Sequence, residues 1–362
     1  MNDINVKAVI QFILYLSIIN AVTGFVVDDG GLTFLRHQST LLPLWTRPWI
    51  HTAAHQHSFV RRRASLVDNV DTGSDNGTAE SFLEQGYVDR FGGIGRLYDG
   101  QALSSGEVLR RMRQSTVVVA GVGGVGSWAA EALCRSGIGN LVLIDLDDIC
   151  ISNSNRQLHA TTSGVGQMKT EVMKQRLLDI NPECNVTVIH DFVSEENAKG
   201  MLEGVGPITA LIDAIDGATE KSALIGACAD LAIPVVTCGG AAGRRDPFQI
   251  ICGDLVSVED DRLLASCRRI LRKKHGFPPG LSFSQQRVQK KKLKKWRISC
   301  VYTREAPPVK SEAPPGEATS TFRLCDGSLG TACFVTGSYG FAAASLCVDM
   351  IAQDKLRPPR RG

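Results

Sequence analysis

Short runs of valine, isoleucine and leucine alternate along this chain with longer stretches whose apolar residues recur every third or fourth position. The first pattern predicts buried strands and the second predicts amphipathic helices. A helix is predicted over Ala102 to Arg113, a strand over Thr116 to Ala120, and a helix over Gly126 to Ser136 that Gly137 and Gly139 stop. A second strand, Leu141 to Ile144, ends at Asp145. The helix predicted over Gln167 to Ile180 carries Val172, Met173, Leu177 and Ile180 on one face, and Asn181-Pro182 ends it. Further strands are predicted at Val186 to Ile189, Thr209 to Ile212, Pro234 to Thr237 and Phe248 to Cys252, with helices at Glu195 to Leu202 and Lys221 to Leu231. Thr331 to Ile351 is apolar and long enough to span a membrane. Its many glycine, alanine, serine and threonine residues predict instead a helix buried closely under the sheet. Strands alternating with helices make this an α/β chain with a Rossmann-like, doubly wound, mostly parallel sheet.

The amino-terminal part breaks from that pattern. Val6 to Val27 is almost wholly apolar, as a signal-peptide core or an uncleaved membrane anchor would be. From Gly30 to Val67 there is no Asp or Glu, while Arg36, Arg47 and Arg61 to Arg63 are present. Acid-poor, arginine-bearing composition is typical of transit peptides, and a hydrophobic leader ahead of it resembles a two-part plastid-targeting presequence. Residues 1–67 are therefore expected to direct the protein to an organelle, plastid or mitochondrion. The alternative is membrane association through the leader, with a cytosol-facing catalytic domain. Residues 68–80 are polar and turn-rich and read as a linker. The folded domain is expected over 81–353, with a basic tail at 354–362.

The net charge of +3 conceals a strong asymmetry. The segment 262–304 contains no acid, and Phe277, Phe283 and Trp296 are interleaved with its lysines and arginines. That composition predicts contact with nucleic-acid phosphates, with the aromatics stacking on unpaired bases. A solvated basic loop and a membrane-surface contact are the other readings of the same composition. The eleven cysteines include no CxxC pair, and a secreted disulfide framework does not suit their scattered placement.

The candidate chemistry lies between Thr116 and Lys169. Gly121, Gly123, Gly124 and Gly126 follow the first strand and open a helix, and Asp145 closes the next strand. Glycines let backbone amides approach a phosphate at a helix N-terminus, and the acid can bond ribose hydroxyls. NAD, FAD and ATP all satisfy that much. Asp147, Asn153, Arg156 and Lys169 come next, and Asp216 follows a later strand. Hydride transfer needs no cations clustered there. Nucleotidyl transfer does, because negative charge develops on the α-phosphate and on pyrophosphate. Asp216 sits where a magnesium ligand is useful.

GxGGxG, then DxD, then SNxxRQ (Ser152, Asn153, Arg156, Gln157), then GxxK ending at Lys169, then the Asp216 segment, resembles the superfamily of ThiF, MoeB and the ubiquitin-activating enzymes. The resemblance runs from about Arg90 to Ile351. Within it, RFGGIGRLYDG, NRQLHA, INPEC and VTCGGAAGRRDPFQI are similar to the branch of tRNA threonylcarbamoyladenosine dehydratases. The resemblance implies an adenylation fold and ATP-dependent cyclisation of N6-threonylcarbamoyladenosine at position 37 of tRNA through an acyl-adenylate. It implies that the glycines, Asp145 and Asp147 hold adenosine, that Asn153, Arg156 and Lys169 contact phosphates, and that Asp216 binds magnesium. It assigns Arg96 to a nucleotide, in several relatives across a homodimer. Cys300, in ISCVYTRE, falls at a cysteine position of the branch and is carried as a candidate nucleophile. A monovalent cation and a sulfur-transfer partner are further implications. The alternative activity is adenylation of the C-terminus of a ubiquitin-like or sulfur-carrier protein, although sulfur-carrier activators usually hold zinc with two CxxC pairs. A dehydrogenase reading leaves Arg156, Lys169 and Asp216 without work.

Overall fold

In the computed structural model, residues 78–278, 294–306 and 329–361 are described. The leader, the acid-poor stretch and the linker as far as residue 77 lie outside them, as do Phe283 and Lys290 to Lys292. Two helices, α1 (Thr78–Tyr98) and α2 (Ser105–Gln114), precede β1 (Thr116–Ala120). There follow α3 (Gly126–Arg135), β2 (Asn140–Ile144), α4 (Lys169–Ile180), β3 (Asn185–Ile189), α5 (Ala198–Val205), β4 (Ala210–Asp213), α6 (Ala218–Asp230) and β5 (Val235–Cys238). The chain continues through β6 (Ile250–Asp254), α7 (Arg262–Lys274), β7 (Ser299–Thr303) and α8 (Cys333–Ala352).

The seven strands form one sheet in the order β3-β2-β1-β4-β5-β7-β6. All neighbours are parallel except β6 and β7. The order reverses between β1 and β4, the position at which doubly wound sheets bind ligands beyond their carboxyl ends. Ala120 pairs in register with Ile144 on one side and Asp213 on the other, so those strands end level with one another.

Both sheet faces are covered, which is why the strands read as unbroken apolar runs. Val117, Val119, Leu141, Leu143 and Ile212 pack on one face with α3 and α8. Val118, Ala120, Val142, Leu211 and Val235 pack on the other with α6 and α7. The helix predicted at the carboxyl end is α8, and it is a core element: Val335, Tyr339, Ala343, Cys347 and Ile351 are buried. Its small residues permit close approach. A Cβ on Gly340 would lie 2.6 Å from the Val125 carbonyl oxygen, at the start of α3.

Three elements have no clear signal in the apolar pattern. α1 runs through the Gly92-Gly93 pair, where glycine costs a helix about 1 kcal/mol each. Tertiary packing offsets that: Tyr87 and Phe91 are buried, and the Tyr87 hydroxyl donates to the Gly137 carbonyl. α7 hides in the acid-free segment, with Leu264, Cys267 and Leu271 turned inward, Arg268 and Arg272 half-buried, and Arg262, Arg269, Lys273 and Lys274 exposed. β7 follows the same basic run and becomes an interior strand between β5 and β6.

The described parts of the basic segment, 262–278 and 294–304, therefore contribute to the core. Trp296 and Phe277 are buried, with ring centroids 4.9 Å apart, and cannot stack on bases. The Arg272 guanidinium lies 5.3 Å from the Trp296 ring centre. Exposed aromatics lie elsewhere, Phe248, Phe334 and Phe341 among them. With Trp128 and Pro247 these three line an open groove of about 530 Å³. The carboxyl-terminal tail folds back as well: the Arg360 amide donates to the Trp296 carbonyl at 2.7 Å, and Arg361 pairs with Asp230.

Candidate active site

The glycine turn joins β1 to α3 at the point where the strand order reverses. Gly121 has φ +84, and a Cβ there would meet the Ala214 carbonyl oxygen at 2.9 Å. A Cβ on Gly126 would meet the Gly121 carbonyl oxygen at 1.8 Å. Glycine at both places keeps the turn tight and presents its amides at the start of α3.

Asp145 follows β2 and closes the other side. Its carboxylate accepts from the Val122 amide at 2.7 Å and from the Asp147 amide at 2.9 Å. Burial raises its pKa above the ordinary carboxylate value, against the pull of Lys169 and these two amides. Lys169 opens α4 and is only 6% exposed. Its Nζ lies 2.7 Å from Asp147 Oδ2 and 4.0 Å from Asp145 Oδ1. The Lys169 amide also donates to the Asp147 carbonyl, so chain and side chain are pinned to the same acid.

Asn153 is buried in a short helical turn, and its Oδ1 accepts from the Cys150 amide at 3.1 Å. Three residues on, Arg156 is half-buried, with Nη1 donating to the Ser152 carbonyl at 2.8 Å and to Asn155 Oδ1 at 3.0 Å. Its own carbonyl accepts from the Trp128 indole at 3.1 Å and from the Thr336 hydroxyl at 3.3 Å. The strand-following segment is thus tied to both α3 and α8. Gly121, Gly123, Gly124, Gly126, Asp145, Asp147, Asn153, Arg156 and Lys169 all converge on the carboxyl ends of β1 and β2. An anion-receiving turn beside two cations suits a nucleotide triphosphate.

Asp216 lies three residues past β4 and is exposed. Among the described residues no cluster of three or more His, Cys, Asp or Glu forms a metal cage. A single exposed carboxylate fits magnesium, which is usually held by one or two carboxylates together with substrate phosphates.

One sequence-derived candidate is corrected. Cys300 lies in β7, fully buried on the α6–α7 face, with its thiol donating to the Gly253 carbonyl at 3.3 Å. Burial pushes that thiol well above its ordinary value. It is a packing residue, since nucleophilic cysteines require an exposed thiolate. Arg96 is exposed in the last turn of α1. It lies nine residues beyond Tyr87, whose hydroxyl reaches the Gly137 and Leu109 carbonyls.

Residues that sequence reasoning passed over also stand here. Asp213 and Lys221 are both 0% exposed, with Nζ and Oδ2 2.9 Å apart. The signal for Lys221 is a cation near the start of a helix whose following residues are apolar or small. His159, within NRQLHA, is buried, and among the described residues neither ring nitrogen has a hydrogen-bond partner. Burial, helped by the Lys169 charge, lowers its pKa from 6.5 to about 4. The folded protein keeps it neutral while the unfolded chain protonates it. Its contribution to stability is therefore full above pH 6.5 and is lost as pH falls towards about 4. We expect Tm to fall across that window and His159→Phe to flatten the fall. Superimposable pH profiles of the two proteins would count against this origin.

A model of the ThiF family matches residues 98–348. The chain is 42% identical over 269 residues to the tRNA threonylcarbamoyladenosine dehydratase of Haemophilus influenzae, covering 74% of this chain and 95% of that protein. The crystal structure of the Escherichia coli tRNA N6-threonylcarbamoyladenosine dehydratase in complex with ATP matches with a TM-score of 0.61 and 37% identity, over 75% of this chain and 96% of that one. Similarity to the sulfur carrier protein ThiS adenylyltransferase of E. coli is 32% over only 35% of this chain.

Proposed function

The chain belongs to the ThiF family, and we propose that it is an ATP-dependent tRNA threonylcarbamoyladenosine dehydratase. The observation that carries this is the convergence of the glycine turn, Asp145, Arg156 and Lys169 on one end of the sheet, in a chain aligned over most of its length with such enzymes. ATP binds with its ribose towards Asp145 and its phosphates on the turn. The threonyl carboxylate of the modified adenosine attacks the α-phosphate and pyrophosphate leaves. A carbamoyl nitrogen then attacks the activated carbonyl of the same nucleoside, closing the ring and expelling AMP. The second step is intramolecular, so holding the geometry supplies much of the rate.

Within this reading, Arg156 and Lys169 stabilise charge on the phosphates, and Asn153 orders the segment that delivers Arg156. Magnesium, when bound, would neutralise phosphate charge, with Asp216 as its protein ligand. Arg96 would reach a nucleotide across a homodimer, as the family resemblance implies. The leader would deliver the protein to an organelle.

The test is direct. The protein is incubated with ATP, magnesium and tRNA bearing N6-threonylcarbamoyladenosine, and the nucleosides are read by mass spectrometry. We expect a product lighter by one water, with release of AMP and pyrophosphate. An unchanged nucleoside, together with pyrophosphate exchange elicited by a sulfur-carrier or ubiquitin-like tail, would favour the other activity.

The RNA contact has its own prediction. Lys294, Lys295 and Arg297 are exposed at the entrance to β7. Changing all three to Gln should weaken tRNA binding and lower the slope of log affinity against log salt by about 2 to 3. An unaltered slope would move the RNA footprint elsewhere.

A further inference from the structure

Asp213, Thr237 and Lys221 form a polar triad in the interior. All three are 0% exposed, on the face otherwise filled by apolar side chains. The register Ala120–Asp213–Thr237 places the two acceptor-bearing residues side by side on β4 and β5. Lys221 reaches them from the first turn of α6. Lys221 Nζ lies 2.9 Å from Asp213 Oδ2, 3.2 Å from the Thr237 hydroxyl and 3.4 Å from the Asp213 carbonyl. The Thr237 hydroxyl donates to Asp213 Oδ2 at 2.7 Å.

An ion pair this deep is weak evidence for stability, because desolvating two charges offsets most of their attraction. Its geometry points to another role. Asp213 Oδ1 accepts from the Ile215 amide at 3.2 Å, and the Ala214 amide donates to the Ala120 carbonyl at 2.9 Å. The loop 214–217 is thus fixed at its root by the triad. The same loop touches the nucleotide turn: the Cβ position of Gly121 lies 2.9 Å from the Ala214 carbonyl oxygen and 3.1 Å from the Ile215 nitrogen. It also carries Asp216.

We infer that Asp213, Thr237 and Lys221 are positioning residues, which lock loop 214–217 against the glycine turn and so set the shape of the nucleotide site. None of the three needs to touch ATP. Asp213 takes three partners at once, so its carboxylate cannot rotate without releasing the loop, the lysine or the threonine. The inference rests on the reading of the glycine turn as an ATP site.

Thr237→Val keeps the side-chain shape and removes the hydroxyl that bridges the pair, and Thr237→Ser restores it. ATP affinity with magnesium is measured by calorimetry, with Tm and turnover in parallel. Outer-shell groups that orient metal ligands are worth about 10- to 100-fold in affinity or activity, and the same scale is taken for this loop. The valine variant should stay folded and lose affinity within that range, while the serine variant stays close to wild type. A valine variant that binds ATP as wild type does would overturn the inference, and so would a serine variant as impaired as valine. Should Thr237→Val not fold, the paired change Asp213→Asn with Lys221→Met removes both charges together. That pair must also lose ATP affinity, and unchanged binding in it overturns the inference. Wild-type protein that does not bind ATP would overturn the reading of the site itself, and the positioning role with it.

Discussion

Lys169→Ala is expected to lower the rate of adenylate formation by about 10²- to 10³-fold, the loss typical of removing one preorganised group that meets developing charge. The side chain sits at the start of α4, almost wholly buried, with its ammonium held between Asp147 at 2.7 Å and Asp145 at 4.0 Å. A cation already oriented by fixed carboxylates costs little to reorganise when phosphate charge grows beside it. Folding should survive the change. Asp147 is more than half exposed, so water can take the place of the lost ammonium there. Pyrophosphate exchange and AMP release measure the rate, and Tm checks the fold. Turnover within twofold of wild type would remove Lys169 from the chemistry.

Gly126→Ala should remove ATP binding and destabilise the protein by about 3 kcal/mol or more, at the severe end of overpacking effects. The added methyl would lie 1.8 Å from the Gly121 carbonyl oxygen and 2.9 Å from its carbon. Both obstacles are backbone, so no rotamer change relieves them. Either α3 moves away from β1 or the turn opens. α3 cannot move cheaply, because α8 is packed on it with Gly340 against Val125 and Trp128. The turn would give way, and with it the amides that meet the phosphates. Urea unfolding and ATP calorimetry test the two halves separately. A variant with wild-type midpoint and affinity would show that the turn has more freedom than its contacts allow.

Much of the site is legible in the amino-acid sequence. The glycines, Asp145, Asp147, Asn153, Arg156 and Lys169 fall within one short stretch, and a strand, a turn, a helix and a strand are enough to bring them together. Local spacing also identifies α8, because its small residues suit close helix packing. Other positions mislead, because their role depends on which side of an element meets the core. Trp296 and Phe277 lie among lysines and arginines in the chain, yet both are buried against each other. Cys300 occupies a suggestive motif, yet β7 turns it into the core. The acid-free composition conceals α7 and β7, whose apolar residues are outnumbered by the charges around them.

The Asp213–Thr237–Lys221 triad shows the division most sharply. Asp213 and Lys221 are eight positions apart and Thr237 lies sixteen further on. No periodicity links them, and only the parallel pairing of β4 with β5 and the return of α6 bring them within hydrogen-bond reach. The sequence by itself determined the fold class, the nucleotide turn and the cations beside it, because these arise from short-range patterns of glycine, charge and apolar period. Tertiary structure alone decided which charges are buried and which aromatics face solvent. Burial is set by contacts between segments far apart in the chain, and a local pattern carries no record of them.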